Sequence, residues 1–146
     1  MTYELAIEIS GAGEDPNHRS HWGFVIHQPP QPFGDLLHVH LIDLDRLWYD
    51  FEVRVGSTIP SMQAVGKVKL ASLDARQRHE AIEVISAEPA PRDGRKRCQD
   101  WVFDALLALE VNDLVPDGSC RFWKGMVGRA ARDVRVAAGD SWTSLN

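Results

Sequence analysis

Apolar and polar residues alternate along the first half of the chain, which is the pattern of strands with one buried face. Five segments show it, at residues 2–10, 21–27, 35–42, about 48–55 and 64–70. The proline- and glycine-rich segment 28–34 lies between the second and third segments and predicts an antiparallel hairpin. Because alternate residues share a face of a strand, His38 and His40 are expected on the same face. Residues 56–60 predict a break before the fifth strand.

In the second half of the chain, apolar residues recur every three or four positions, which predicts helices. Ser72 is expected to cap a helix from Leu73 to about Ala87, which the prolines at 89 and 91 end. A second helix is expected to begin at Cys98, and a third to run from 122 to 130 before a polar tail near Asp140. Strands followed by helices predict an α+β fold with an antiparallel sheet packed against helices. We expect one domain over 1–146, with a core of about 18–135 and a polar C-terminal tail.

Composition narrows the class of protein. A chain of 146 residues with 44% hydrophobic and 25% charged residues is typical of one globular domain. Its net charge of -5 argues against nucleic acid as a partner. The N-terminus lacks the pattern of a signal peptide and no segment reaches membrane-spanning length, so a cytoplasmic protein is expected. The two cysteines lack the spacing of a zinc site, and we expect no metal or cofactor. The sequence does not predict an oligomeric state.

Cys98 stands where a basic loop, Arg95 to Arg97, turns into the second helix. Free N–H groups and the positive dipole end at a helix start favour a thiolate, as a nucleophilic cysteine requires. The alternative is a small core residue in a helix. The basic run would lower the pKa of the thiol or bind an anionic substrate group, or it is a solvated loop. Cys120 has no histidine near it in the sequence and is expected to be structural.

Histidines are the candidate bases for such a cysteine. His18 and His79 have polar neighbours and are expected in solvent, and His27, at a strand end, is expected to be exposed. His21 and His38 are embedded in apolar strands, where each is either a core side chain or a base. The hairpin would bring His21 opposite His38 or His40, since its register is not fixed by the sequence.

Three short segments carry a resemblance to a known superfamily. They are His21-Trp22-Gly23-Phe24-Val25-Ile26, Leu36-Leu37-His38-Val39 and Cys98-Gln99-Asp100-Trp101-Val102. In this order they resemble the permuted papain-like fold of the lecithin retinol acyltransferase and NlpC-type superfamily, and that of the related PPPDE peptidases. In these proteins a histidine opens a strand, a second polar residue lies on the next strand, and the nucleophilic cysteine follows at the start of a helix. The resemblance covers about residues 18–112 and implies a permuted papain-like domain.

The resemblance also implies roles for individual residues. Cys98 would be the nucleophile, His21 its base, and His38 the group that orients His21. His40, on the same strand face as His38, is the alternative third residue. Around the cysteine the sequence departs from the superfamily, because Arg97 stands where asparagine is usual and Gln99 where glutamate is usual.

Such a site implies a thiol-dependent enzyme that attacks an amide or ester carbonyl and forms a covalent acyl intermediate on Cys98. Water as the second reactant would make it a hydrolase, and an amine or alcohol would make it an acyltransferase. The substrate would be a small molecule, a lipid or a peptide, in a pocket near Trp22, His40, Arg97 and Trp101, although tryptophans at such spacings also occur as core residues. Two alternatives stay open: a catalytically inactive binding module with the same fold, and a cyclase or condensing enzyme for small metabolites.

Overall fold

The computed structural model describes residues 2–58 and 63–145. The described residues form an antiparallel sheet of six strands together with four α-helices, an α+β fold as predicted. The sheet has the order β4-β3-β2-β1-β5-β6. In chain order the elements are β1 Tyr3–Ser10, β2 His21–His27, β3 Phe33–Asp43, β4 Trp48–Thr58, β5 Ala64–Leu73, α1 Ala75–Ala87, α2 Cys98–Val111, α3 Ser119–Lys124, α4 Ala131–Ala138 and β6 Trp142–Ser144.

The strands have two distinct faces, as their alternation requires. On one, the helix face, residues such as Ile7, Phe24 and Leu37 are fully buried and share a single core with the buried residues of the helices. The opposite, open face carries a small apolar patch of Ala6 and Val25, with polar side chains around it. The helices therefore pack on the apolar face of the sheet, and most of the titratable side chains of β1 to β4 lie on the open face.

Helix α2 is the central element of the helix face. Its fully buried residues recur at helical spacing and include Trp101, Val102, Ala105, Leu106 and Leu109. At its start the Asp100 carboxylate accepts a hydrogen bond from the backbone N–H of Arg97 at 2.9 Å, which satisfies a donor that the helix leaves free. Cys98 therefore occupies the first turn of this helix, as the sequence predicts.

Two helix boundaries differ from the expectation. Strand β5 continues to Leu73, and Asp74, rather than Ser72, caps α1 in a reciprocal capping box with Gln77. Of the helix expected over 122–130, only residues 122–124 are helical, because α3 ends at Lys124 and α4 begins only at Ala131. Between them Gly128 has a φ of 84°, a left-handed conformation that ends the helical path.

The sheet is also larger than the expected core of about 18–135. Strand β1 lies in its interior, between β2 and β5, and β6 pairs with β5 where a polar tail was expected. Strand β4 continues through Gly56 to Thr58, where a break was expected, whereas positions 59 and 60 of that break lie outside the described residues. Within the described ranges, the helices are too short or too polar to cross a membrane.

Candidate active site

Three side chains on the open face form a continuous hydrogen-bonded chain, which we call the relay: His21, His38 and Glu52. The Nε2 atom of His21 lies 2.9 Å from Nδ1 of His38, and Nε2 of His38 lies 2.9 Å from Oε1 of Glu52. The register of the sheet brings them together, because His38 and Glu52 are direct cross-strand partners. Between β2 and β3, His38 lies across from Gly23, so the His21 ring reaches His38 diagonally. Of the two histidines of β3, it is His38 whose ring is hydrogen-bonded to His21.

The relay also defines where the ring protons are. An ionised Glu52 only accepts hydrogen bonds, so Nε2 of His38 is the donor to it. In a neutral His38 the Nδ1 atom then accepts, and Nε2 of His21 must donate. The remaining nitrogen of His21, Nδ1, is left with a free lone pair, which is the state that a general base needs.

The electrostatics of the relay keep His21 neutral. Burial, followed by the positive charges that His38 and His40 would carry, lowers the pKa of His21 from 6.5 to about 4. Gly23 makes this packing possible: a Cβ atom there would lie only 3.0 Å from the His38 Cβ and 3.2 Å from Leu36. A small residue two positions after His21 therefore allows β3 to pack closely against β2.

Glu52 was not among the predicted site residues. The hydrogen bonds from His38 and then Arg54 lower its pKa to about 2, so it is ionised at neutral pH. The Nε atom of Arg54 donates to the same oxygen at 2.7 Å. The only signal in the sequence was that Glu52 alternates with the apolar residues of β4 and so lies on the polar face of that strand. This position does not specify which residue it contacts.

Cys98 lies at the start of α2, half-buried against the core. Burial raises the pKa of its thiol above the ordinary 9.0, although the backbone N–H groups of Trp22 and Gln99 act in the opposite direction. The helix start was expected to favour a thiolate at Cys98, but burial outweighs those N–H donors and raises the pKa of the thiol. Of the basic run, Lys96 is paired with Asp104 at 2.8 Å.

Cys98 opens onto a cavity of about 320 Å³, the cysteine cavity. Leucines of β3 and of the β3–β4 connection form its apolar side, and polar and basic residues form the rest; the lining is Asn17, His18, Arg19, Leu41, Leu44, Leu47, Tyr49, Arg97 and Cys98. Of the residues expected around a substrate pocket, Arg97 is therefore beside the cysteine.

The relay opens onto a different cavity of about 320 Å³. Its lining includes Ser10, His21, Gly23 and His38. The Cys98 thiol makes no hydrogen bond to His21 or His38 in the described structure, yet it lies near the backbone N–H of Trp22, the residue that follows His21. The structure therefore brings His21 and His38 together and leaves Cys98 close to β2 without a direct bond to the imidazole.

The other residues expected at a pocket have different positions. Trp22 and Trp101 are 0% and 1% exposed and belong to the core, which corrects their assignment as pocket walls: their ring size serves packing against Trp123 and Phe24. His40 is half-buried on the open face, with its ring centroid 6.0 Å from that of His38.

The histidines outside the relay are also placed. His18 and His79 are exposed, as expected. His27, which was expected to be exposed, is 7% exposed, because its Nε2 lies 2.8 Å from Glu4 and 2.7 Å from the Lys67 ammonium. Cys120 is buried, and burial followed by the charge of Glu110 raises its pKa to about 11.

Gln99 fixes the start of α2 relative to β2. Its side chain is fully buried, and its Nε2 donates to the carbonyl of Ser20, the residue before His21, at 3.0 Å. Its Oε1 accepts a hydrogen bond from the N–H of Gly128 at 2.7 Å. Gln99, the residue after Cys98, is thus hydrogen-bonded directly to the residue before His21.

The sequence defines the family of this protein. The chain belongs to DUF6540, a family of unknown function, whose model matches residues 8–116. The matched range contains the relay, Cys98 and Gln99. Neither a curated protein nor a solved structure matches the chain.

Proposed function

We propose that this protein is a cysteine-dependent enzyme that acts on an amide or ester carbonyl, with Cys98 as the nucleophile and His21 as its base. The observation that carries the proposal is the relay, because it leaves Nδ1 of His21 free to accept a proton. The thiol lies near the backbone N–H of Trp22, the next residue of β2, while the His21 ring is on the open face of the sheet and Cys98 packs against the core of the helix face. A histidine held in one tautomer by a buried partner and a carboxylate is the usual support of a nucleophile.

In the proposed reaction the Cys98 thiol and the His21 imidazole both start neutral. The thiol proton would pass to Nδ1 of His21 as Sγ attacks the carbonyl carbon, and the imidazolium that forms would be stabilised through His38 by the charge of Glu52. Backbone N–H groups at the start of α2, that of Cys98 first, would stabilise the oxyanion. His21 would then protonate the leaving group, and water, an amine or an alcohol would release the acyl group. Because the thiol and His21 make no hydrogen bond in the described structure, the proposal requires that they come into contact when substrate binds.

The order of the elements supports the same proposal at the level of fold. The strand that begins with His21, the strand that carries His38 and the helix that begins with Cys98 follow one another in the order of the permuted papain-like enzymes. We propose that topology for this sheet, and a small-molecule, lipid or peptide substrate that carries its acyl group into the apolar side of the cysteine cavity.

A second candidate function is a binding module without catalysis. It is favoured by the absence of a hydrogen bond between Cys98 and His21 in the described structure and by the separate cavities onto which they open. In that case the cysteine cavity would hold a ligand and release it unchanged.

Covalent acylation distinguishes the two functions. The protein would be incubated with p-nitrophenyl acetate, with product release followed by absorbance and the adduct located by peptide mass spectrometry. We expect an acetyl group on Cys98 and multiple turnovers. His21→Asn should slow acylation about 10²-fold or more, as expected for loss of a general base.

Two further variants complete the test. Cys98→Ser should form no adduct at position 98, and Cys120→Ser, which removes the other thiol, should behave like the wild type. Acylation of Cys98 at equal rates in the wild type and in His21→Asn would refute the proposed base. No acylation of Cys98 in the wild type, with the fold confirmed by circular dichroism, would favour the binding module.

A further inference from the structure

Beside the relay, three side chains offer metal-ligating atoms in one place: His38, His40 and Glu52. One ligand atom of each lies within 4.8 Å of those of the other two. The sheet creates this arrangement, because the two histidines are two positions apart on one face of β3 and Glu52 lies directly across from His38 on β4. All three donors project from strands rather than from loops.

The proposed function gives His40 no part, and its structural setting does not require an imidazole. It is half-buried on the open face, and no hydrogen bond or ion pair to its ring is found among the described residues. His38 and Glu52 are already in contact at 2.9 Å. The donors of a tetrahedral Zn²⁺ ion lie about 3.3 Å apart, so rotation of the His40 side chain would bring the third donor into range.

We propose that His38, His40 and Glu52 form a site for a divalent transition-metal ion of the zinc class. Two imidazoles and one carboxylate suit such an ion better than Mg²⁺ or Ca²⁺, which prefer oxygen ligands. Three protein ligands leave a fourth position, which would be filled by water because Glu52 and His40 are only half-buried. The Arg54 side chain, which also contacts Glu52, is 61% exposed and can turn into solvent when the ion binds.

Occupancy of this site also changes the relay. A metal ion on Nε2 of His38 requires the ring proton to be on Nδ1, so His38 then donates to Nε2 of His21. The proton of His21 must in turn be on Nδ1, and each ring still carries one proton. In that state Nδ1 of His21 has no lone pair for the thiol proton. The ion would thus be a reversible inhibitor, a consequence that rests on the proposed function.

Metal binding is measured on the EDTA-treated full chain by titration calorimetry with ZnCl₂ and by the visible absorption of bound Co²⁺. We expect one ion per chain, with affinity reduced at least tenfold in His40→Gln and in Glu52→Gln. The matched control is His79→Gln, since His79 forms an exposed pair with Glu83 at 3.0 Å and should contribute nothing to this site. Absence of binding, or loss of binding in His79→Gln but not in His40→Gln, would overturn the site.

Long-range ¹H–¹⁵N correlation spectra of the imidazole nitrogens test whether metal binding changes the tautomers of the relay. Without metal, His38 and His21 should each carry the proton on Nε2, and with Zn²⁺ each should carry it on Nδ1. Binding of Zn²⁺ with an unchanged His21 tautomer would overturn the coupling. These measurements need neither substrate nor Cys98, so their outcome is independent of the acylation test. A protein that binds zinc but forms no acyl adduct would contradict the proposed function and keep the metal site.

Discussion

Replacement of Gln99 by methionine tests how the start of α2 is held against β2. Methionine has a similar length and volume but no amide, so the change removes two hydrogen bonds without leaving a cavity. The side chain is fully buried, and its partners are the Ser20 carbonyl at 3.0 Å and the Gly128 N–H at 2.7 Å.

The expected cost follows from what each partner loses. Ser20 is 2% exposed, so its carbonyl would remain buried without a donor, at a cost of about 1–3 kcal/mol. Gly128 is exposed, and water can bond to its N–H, so its loss is nearer to the net value of one hydrogen bond, about 1 kcal/mol. We expect the free energy of unfolding of Gln99→Met to be about 2–4 kcal/mol lower than that of the wild type.

Equilibrium urea denaturation, followed by tryptophan fluorescence, measures this difference. With a denaturant slope of about 2 kcal/mol per M, the midpoint should fall by about 1–2 M. The matched control is Gln31→Met in the exposed β2–β3 turn, where we expect a change of less than about 0.5 kcal/mol. A loss below about 1 kcal/mol in Gln99→Met, with an unchanged slope, would show that this amide does not fix α2 to β2.

Three further predictions concern the cysteines, the buried cluster of Glu4, His27 and Lys67, and the core. Because burial raises the pKa of Cys98 above 9.0, its alkylation by iodoacetamide should rise about tenfold per pH unit from pH 6 to 8, faster throughout than that of Cys120; a plateau below pH 7 in peptide mass spectrometry would contradict this. Burial would raise the pKa of Glu4, but hydrogen bonds from Lys67 and His27 lower it overall, so its stabilising contribution is present above about pH 4.5 and is lost as the pH falls further. Glu4→Gln should therefore have a free energy of unfolding about 1–3 kcal/mol below that of the wild type at pH 7 in urea denaturation, and this difference should narrow below pH 4.5. A difference independent of pH would show that the carboxylate charge of Glu4 does not stabilise the fold. Leu106→Ala should cost about 2–5 kcal/mol in the same assay because Leu106 is 0% exposed, whereas Leu107→Ala, at a 43% exposed neighbour, should cost less than about 1 kcal/mol; equal losses would place α2 in a different rotation.

Residue periodicity was sufficient to predict the α+β class and the positions of five strands. Alternation depends only on which face of a strand meets the core, so residues such as Ile7, Phe24 and Leu37 could be assigned to the buried face without knowledge of their partners. Helix boundaries were less predictable. Ser72 and Asp74 are both suitable caps, and the choice between them depends on how far β5 continues to pair with β1.

The relay was predicted only in part, because its members come from different strands. The alternation in β3 placed His38 and His40 together, but the partner of each depends on registers that span two connections. Glu52 contacts His38 only because β4 pairs with β3 in one particular register. The burial of His27 was missed for the same reason, since Glu4 and Lys67 come from strands that lie far apart in the sequence.

The charge states of His21 and Cys98 constrain the thiol reaction proposed for this site. A preformed thiolate–imidazolium pair would need His21 to be charged, but its pKa of about 4 keeps it neutral at pH 7, and burial keeps Cys98 protonated. In the proposed reaction the thiol proton would therefore leave during the attack itself, and the positive charge that would form on His21 would be opposed by the same burial that lowers its pKa. The Glu52 carboxylate, hydrogen-bonded to the far side of His38, would offset this cost of burying a charge only when His21 is protonated. Loss of Glu52 should therefore slow acylation while leaving the resting thiol pKa of Cys98 unchanged.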